Sequence, residues 1–200
     1  MSNLPPNKDP TRPQQLPHSE GETLQPRAIR RAARLVLLDP QNRVLLINIE
    51  DDQVRESPSI QKKHPFWITP GGGIKGGESE HAALVRELFE ETGKTEQDVE
   101  IGNCLWRGEH VLNWGGTLTR CFESFFLARA QNADVSLANM EKEERLVYRT
   151  HKWWTLEELR NSREIFLPKG FVTLLKDVLN GNIPSEAKQI DLTNPPELTL

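Results

Sequence analysis

Residues 69 to 94 read TPGGGIKGGESEHAALVRELFEETGK, with five glycines between Gly71 and Gly77 and then Glu87, Glu90 and Glu91 close together. On a helix turning about 100° per residue, these glutamates fall within roughly a 100° sector, at the i, i+3 and i, i+4 spacings that bring side chains together. Glu80 points the same way one or two turns earlier. Like charges so placed oppose the helix by about 0.2–0.5 kcal/mol per pair, and Glu90 and Glu91 also face the negative end of its dipole. Arg86 can pair with Glu90 at i+4, but one guanidinium cannot neutralise three carboxylates. A hard divalent cation, Mg²⁺ or Mn²⁺, supplies the missing charge, because such ions prefer compact sets of carboxylate oxygens and leave positions for water and phosphate oxygens. A solvated acidic face is the plainer account of the glutamates alone. The glycines shift the balance, since backbone without side chains can approach a ligand closely and turn carbonyls or amides inward. Loop and helix together read as an enclosure for a cation and a phosphate chain.

Several elements must position that stretch. AIRRAARLVLL and VLLINIE are apolar runs separated by Asp39-Pro40-Gln41-Asn42, which is turn chemistry, so a hairpin is expected. The polar segment 51–65 is long for a structureless loop and is read as a binding loop or a variable insertion. Phe66 to Thr69 forms a short strand into the glycines. The helix from about residue 80 to Thr92 turns Ala82, Leu84, Val85, Leu88 and Phe89 toward the core. VEIGNCLWRGEHVL and TLTRCFESFFLARA flank Asn113-Trp114-Gly115-Gly116 and read as a second, longer hairpin. YRTHKWWT follows as a strand, LEELRNS as a short helix capped at Thr155, and KGFVTLLKDVLNG as a closing helix ended by Gly181. The expected class is α+β, a mixed sheet with helices on its faces.

With 200 residues, 36% of them hydrophobic, the chain can bury one good core. Residues 1–27 hold six of the 14 prolines among polar residues and read as a flexible arm; 28–181 form the domain; 182–200 read as a tail whose Ile and Leu could lie along its surface. A net charge of −4 gives no global pull toward nucleic acid or anionic membrane. Neither a secretory core nor a membrane-length apolar run is present, so a cytoplasmic protein is expected. Cys104 and Cys121 lack metal-ligand spacing and read as reduced thiols buried in strands.

From Gly72 through Glu78 to Arg86-Glu87-Leu88-Phe89-Glu90-Glu91-Thr92-Gly93-Lys94, the stretch resembles the box of Nudix hydrolases, G-x5-E-x7-R-E-U-x-E-E-x-G-U. It matches at every position but the last, where Lys94 replaces an apolar residue. The resemblance implies a Nudix α/β/α sandwich that binds Mg²⁺ or Mn²⁺ and hydrolyses a nucleoside diphosphate linked to another group. It implies Glu87, Glu90 and Glu91 as metal ligands with the Gly71 carbonyl as a further one, Arg86 orienting the acids, and Glu78 bracing the box. Lys94 should affect packing at the helix exit, and Lys75-Gly76, where many members carry an acid and a proline, a looser loop. The general base would be Glu87 or a later carboxylate among Glu141, Glu143 and Glu144, of which Glu144 is taken with Glu87 and Arg86 as the catalytic set. His151 is a weaker candidate.

Substrate contacts are assigned to Gly72, Gly73, Arg31 and Trp114, the last at a hairpin tip where a base could stack. Trp67, Trp106, Trp153 and Trp154 are expected in the core. Arg30, Arg55, Lys62 and Lys63 could hold non-reacting phosphates or be simply solvated. Glu109 and Val111 stand near the places where ADP-ribose-cleaving members carry a proline and dinucleoside polyphosphate members a tyrosine, so neither subclass is supported. The expected partner is a small nucleotide-like diphosphate, without stable nucleic acid or membrane binding; a homodimer is compatible. The alternatives are a nucleotide-binding module without turnover and an isoprenoid diphosphate isomerase using Cys104 or Cys121.

Overall fold

A computed structural model describes residues 26–51, 54–55, 65–114 and 117–192, with side chains excluded at 54–55 and 112–114. Its elements are β1 (Ala28–Leu38), β2 (Val44–Ile49), β3 (Val54–Arg55), β4 (Phe66–Ile68), β5 (Gly71–Gly73), α1 (Glu80–Thr92), β6 (Val99–Trp114), β7 (Thr117–Ala130), α2 (Lys142–Val147), β8 (Tyr148–Trp154), α3 (Leu156–Asn161), α4 (Phe171–Leu179) and β9 (Lys188–Asp191). The strands run in the order β3-β6-β7-β1-β2-β4, with β5 beside β1, β8 beside β2 and β9 beside β6. β1 and β7 are parallel, whereas β6 and β7 form the long antiparallel hairpin expected from sequence.

The turn at Asp39 to Asn42 forms as its residue types predict, with Asn42 at φ 56° and the Asp39 carboxylate accepting from the Gln41 and Arg43 amides. The strands it joins nevertheless separate beyond the Leu38–Val44 pair: β1 goes to β7 and β5, while β2 goes to β4 and β8. The first three glycines of the expected loop are therefore the strand β5, with Gly71 opposite Arg34. Gly71 is needed there, because φ is +124° and a Cβ would lie 2.3 Å from the Ala33 carbonyl oxygen.

Alternation along β1 divides the core between the two faces. Val36 and Leu38 join Trp67, Trp106, Phe125 and Trp154 beneath Leu159 of α3 and Phe171, Leu174, Leu175 and Val178 of α4. Leu35 and Leu37 face Ala83, Leu84 and Leu88 of α1, with Val99 and Ala128. Trp67 and Trp154 pack edge to face with ring centroids 5.0 Å apart. Trp153 is partly buried against the α1-side core and donates to the Ala133 carbonyl, so these tryptophans pack as expected; the Trp114 side chain lies outside the described residues. Both cysteines are free thiols, Cys121 buried and Cys104 partly so. β9 and Leu192 come from the segment read as a tail: β9 pairs with β6, and Leu192 enters the core where Gly108 has no side chain. Most of the 51–65 segment, residues 1–25 and residues 193–200 lie outside the described residues. Among the described residues, no helix is long and apolar enough to cross a membrane.

One ionic group interrupts this apolar interior. Arg34 of β1 approaches both oxygens of Glu123 on β7 at 3.4 Å, and His110 Nε2 on β6 lies 3.6 Å from the same carboxylate. Burial pushes the Glu123 carboxyl up, but the charge and hydrogen bond of Arg34 and the charge of His110 bring it from 4.5 down to about 2. Burial pulls His110 down, but the neighbouring Cys121 thiol and Glu123 carboxylate raise it from 6.5 to about 9. The His110 contribution to stability is thus complete below pH 6.5 and lost as pH rises toward 9; that of Glu123 is complete above pH 4.5 and lost as pH falls toward 2. Thermal unfolding of the wild type should show a midpoint that declines between pH 6.5 and 9, and His110→Gln should flatten that part of the profile.

Candidate functional site

Helix α1 starts at Ser79, whose hydroxyl accepts the Ala82 amide, and stops at Gly93, whose φ of 70° suits a left-handed cap. Its buried residues are Ala83, Leu84, Glu87, Leu88, Glu91 and Thr92, whereas Ala82 and Phe89, expected in the core, are exposed. The helix is rolled by about 90° from the orientation its apolar residues alone would choose. The reason lies in β5: α1 lies along the glycine strand, so Glu87 and Glu91 turn inward against backbone. A Cβ on Gly72 would sit 2.3 Å from Glu87 Oε1, so only glycine lets the carboxylate come this close. The Gly71 amide donates to Glu91 Oε2 at 2.7 Å.

Arg86 ties the cluster together. Its Nε and Nη2 fork onto Glu78 at 2.9 and 3.0 Å, Nη1 donates to Glu87 at 2.8 Å and Glu90 at 2.9 Å, and Nη2 reaches the Gly73 carbonyl at 3.0 Å. Glu78 also accepts the Lys75 amide at 2.9 Å, closing the loop at the Lys75-Gly76 departure. The segment after β7 then brings Glu144 on α2 over the helix. Lys75 pairs with Glu141 at 3.2 Å, Asn139 donates to the Phe89 carbonyl, and Ser136 donates to that of Thr92.

One carboxylate oxygen from each of Glu87, Glu90 and Glu144 lies within 4.8 Å of the others. Glu87 Oε2 and Glu144 Oε2 are buried with no hydrogen-bond partner among the described residues. Burial, and then the charge of Glu87, raise Glu144 to about 7; burial also raises Glu87, and burial with the Glu87 charge raises Glu91 well above the usual carboxylate range. Orphaned buried oxygens converging in a group short of positive charge fit a hard divalent cation: all donors are carboxylate oxygens, and they lie close enough to share one ion.

The other sequence-derived residues fall in distinct places. The Gly71 carbonyl accepts from Arg34 Nη1 at 2.9 Å. Arg31 does not join the acids: its guanidinium lies 5.2 Å from the Phe122 ring centroid, and its charge acts on Glu80 at the helix start. Arg30, its neighbour on the other face of β1, is the arginine beside the glycine strand, 3.5 Å from where a Gly73 Cβ would lie. Glu80 is also drawn away, forked by Arg107 at 2.7 and 2.8 Å and bonded by Ser124. Glu141 and Glu143 are exposed, and His151 is bonded to the Tyr148 hydroxyl at 2.7 Å. Lys94 is buried at the helix exit with its ammonium on Asn132 Oδ1 at 2.7 Å, in line with a packing role. Arg34 stands outside the set of residues expected from sequence. An arginine between Ala33 and Leu35 in a strand was the available signal, since a buried guanidinium requires a partner such as Glu123.

A family model described as NUDIX domain matches residues 28–174. A Mycobacterium tuberculosis protein provisionally named 8-oxo-dGTP diphosphatase 2 is 29% identical over 119 residues, covering 58% of this chain and 72% of the relative. An RNA pyrophosphohydrolase of Rickettsia typhi is 25% identical over 141 residues, covering 66% of this chain and 85% of the relative. Among solved structures, a MutT protein from Methanosarcina mazei superposes with a TM-score of 0.55 at 19% identity, over 78% of this chain and 97% of that one. The Caenorhabditis elegans Ap4A hydrolase does so at 0.51 and 22%, over 76% and 97%. These structures share the fold, a mixed sheet between helices. The box runs from the glycine strand β5 through α1, and the family match extends from β1 into α4: the chain belongs to the Nudix hydrolase family.

Proposed function

We propose that this chain is a Mg²⁺- or Mn²⁺-dependent hydrolase that cleaves a phosphoanhydride bond in a nucleotide-like substrate, such as a nucleoside triphosphate, an oxidised nucleotide or a nucleotide sugar. The observation that carries the reading is the convergence of Glu87, Glu90 and Glu144, two of them with buried oxygens that lack a partner among the described residues. Those three would hold the cation, with Glu91 bracing the site through the Gly71 amide. A divalent ion there would offset the negative charge of the phosphate chain and make water a better nucleophile.

The chain's own residues define the remaining chemistry. Arg86 keeps Glu87 and Glu90 side by side against their mutual repulsion, and through Glu78 and the Gly73 carbonyl it fixes them relative to the glycine strand. Glu144 Oε2 is available to accept a proton from the attacking water, whose oxygen bonds to phosphorus as the bridging oxygen leaves with the other phosphate. Glu144 comes from a separate element, so its approach depends on how the segment after β7 seats on α1. The names of the sequence relatives, an 8-oxo-dGTP diphosphatase and an RNA pyrophosphohydrolase, support a nucleotide carrying a phosphate chain as the first class to test.

Release of phosphate or pyrophosphate from a panel of nucleoside triphosphates, oxidised nucleotides, nucleotide sugars and ADP-ribose with Mg²⁺ tests the proposal. Turnover should fall about 100-fold or more in both Glu90→Gln and Glu144→Gln, with unfolding temperatures near that of the wild type. Binding of nucleotide without turnover by the wild type would show a sensing module instead, and conversion of isopentenyl diphosphate without phosphate release an isomerase. Gly72→Ala should push Glu87 out of place while keeping the fold, so circular dichroism should be retained as Mg²⁺-dependent turnover drops.

A further inference from the structure

Arg34 stands in the apolar run of β1 with only 12% of its side chain exposed. A guanidinium so placed is costly unless its donors are used. Its Nε and Nη2 face the two oxygens of Glu123 at 3.4 Å, and Nη1 donates to the Gly71 carbonyl at 2.9 Å and reaches that of Thr69 at 3.4 Å. On the other side of Gly71, the amide donates to Glu91 Oε2 at 2.7 Å. Glu123, Arg34, Gly71 and Glu91 therefore form one chain of polar contacts from β7, through β1 and β5, to the acidic helix. The Arg34 charge also acts on both Glu87 and Glu91.

We propose that Arg34, held by Glu123, is a positioning residue that fixes the backbone at Gly71 and thereby the Glu91 carboxylate that braces the cation site. The proposal rests on the cation-site reading given above. Gly71 has the freedom of a glycine at φ +124°; the Leu35 amide holds the preceding Pro70 carbonyl at 2.7 Å, while the carbonyl and amide of Gly71 itself take side-chain partners. Arg34 anchors the carbonyl side and Glu91 the amide side. A carbonyl oxygen has two lone pairs, so the bond from Arg34 leaves one available to a further partner. Lysine cannot substitute: a single ammonium does not reach both oxygens of Glu123 while also donating to two backbone carbonyls.

Mn²⁺ binding to the full-length protein without substrate, measured by calorimetry and by the electron paramagnetic resonance of free Mn²⁺, tests this directly. Arg34→Ala should weaken Mn²⁺ binding about 10-fold or more, the usual scale for a group that orients ligands. Glu123→Gln should weaken it in the same direction, and millimolar guanidinium should restore part of the affinity of Arg34→Ala. Arg34→Lys, which keeps the charge beside Glu123 if the alanine variant folds poorly, should remain folded yet bind Mn²⁺ more weakly. Wild-type affinity in folded Arg34→Lys or Arg34→Ala, with only the unfolding temperature lowered, would overturn the positioning role and leave the cation site standing. Absence of Mn²⁺ uptake by the wild type would overturn both.

Discussion

The structure depends on the repulsion among the carboxylates that α1 and α2 place around one point. Glu78, Glu87 and Glu90 share a single guanidinium, that of Arg86, while Glu91 is buried and Glu144 half-buried nearby. Such a group is tolerable in the folded chain only by partial protonation or by added positive charge. The upward displacement of Glu87, Glu91 and Glu144 expresses the first response, and the orphaned oxygens of Glu87 and Glu144 the capacity for the second. The rest of the fold can be understood as what holds these groups together against that repulsion.

Helix α1 illustrates the cost. By its apolar residues it would bury Phe89; instead it buries two glutamates and leaves Phe89 exposed. The rolled helix keeps Ala83, Leu84 and Leu88 in the core, and on the side of the glutamates backbone holds it: the Gly71 amide donates to Glu91, the absent side chain of Gly72 makes room for Glu87, and the Gly73 carbonyl accepts from Arg86. A glycine strand paired to β1 is stiffer than a glycine loop, because its peptide groups already have partners. The site thus combines the close approach that glycine permits with the rigidity of a sheet, the combination that a preorganised ion site requires.

A second ionic group, Glu123 between Arg34 and His110, lies across the strands on the face of β1 away from α1. Buried ion pairs contribute little net stability when their desolvation is counted, so this group is better understood through what it connects than through what it stabilises. It connects the long β6–β7 hairpin to the carbonyls of Thr69 and Gly71, where the chain turns into the box. The sheet carries more than the core: its register sets where the glycine strand presents its peptide groups.

The sequence by itself determined the acidic helix, the glycines beside it and most of the elements that hold them. Repeated charge at helical spacing beside glycines, together with the Nudix box, identified Glu87, Glu90, Glu91, Arg86 and their helix, and alternating runs identified the β6–β7 hairpin. These signals are local, and their physical causes act within a turn or a strand pair. Three things were decided only in the tertiary structure. Nothing in one helix reveals that β5 will be its neighbour, so the roll of α1 could not be read from its apolar residues. Arg30, Arg31 and Arg34 are alike as residues, and only the pairing of β1 with β7 and β5 sent Arg34 to Glu123 and Gly71 and Arg31 to Phe122. Glu141, Glu143 and Glu144 are equally acidic, and only the docking of α2 half-buried Glu144 beside Glu87 while leaving the others exposed. Charge and spacing act along the chain, but burial and orientation are set by contacts between residues far apart in it, and those exist only once the sheet has closed.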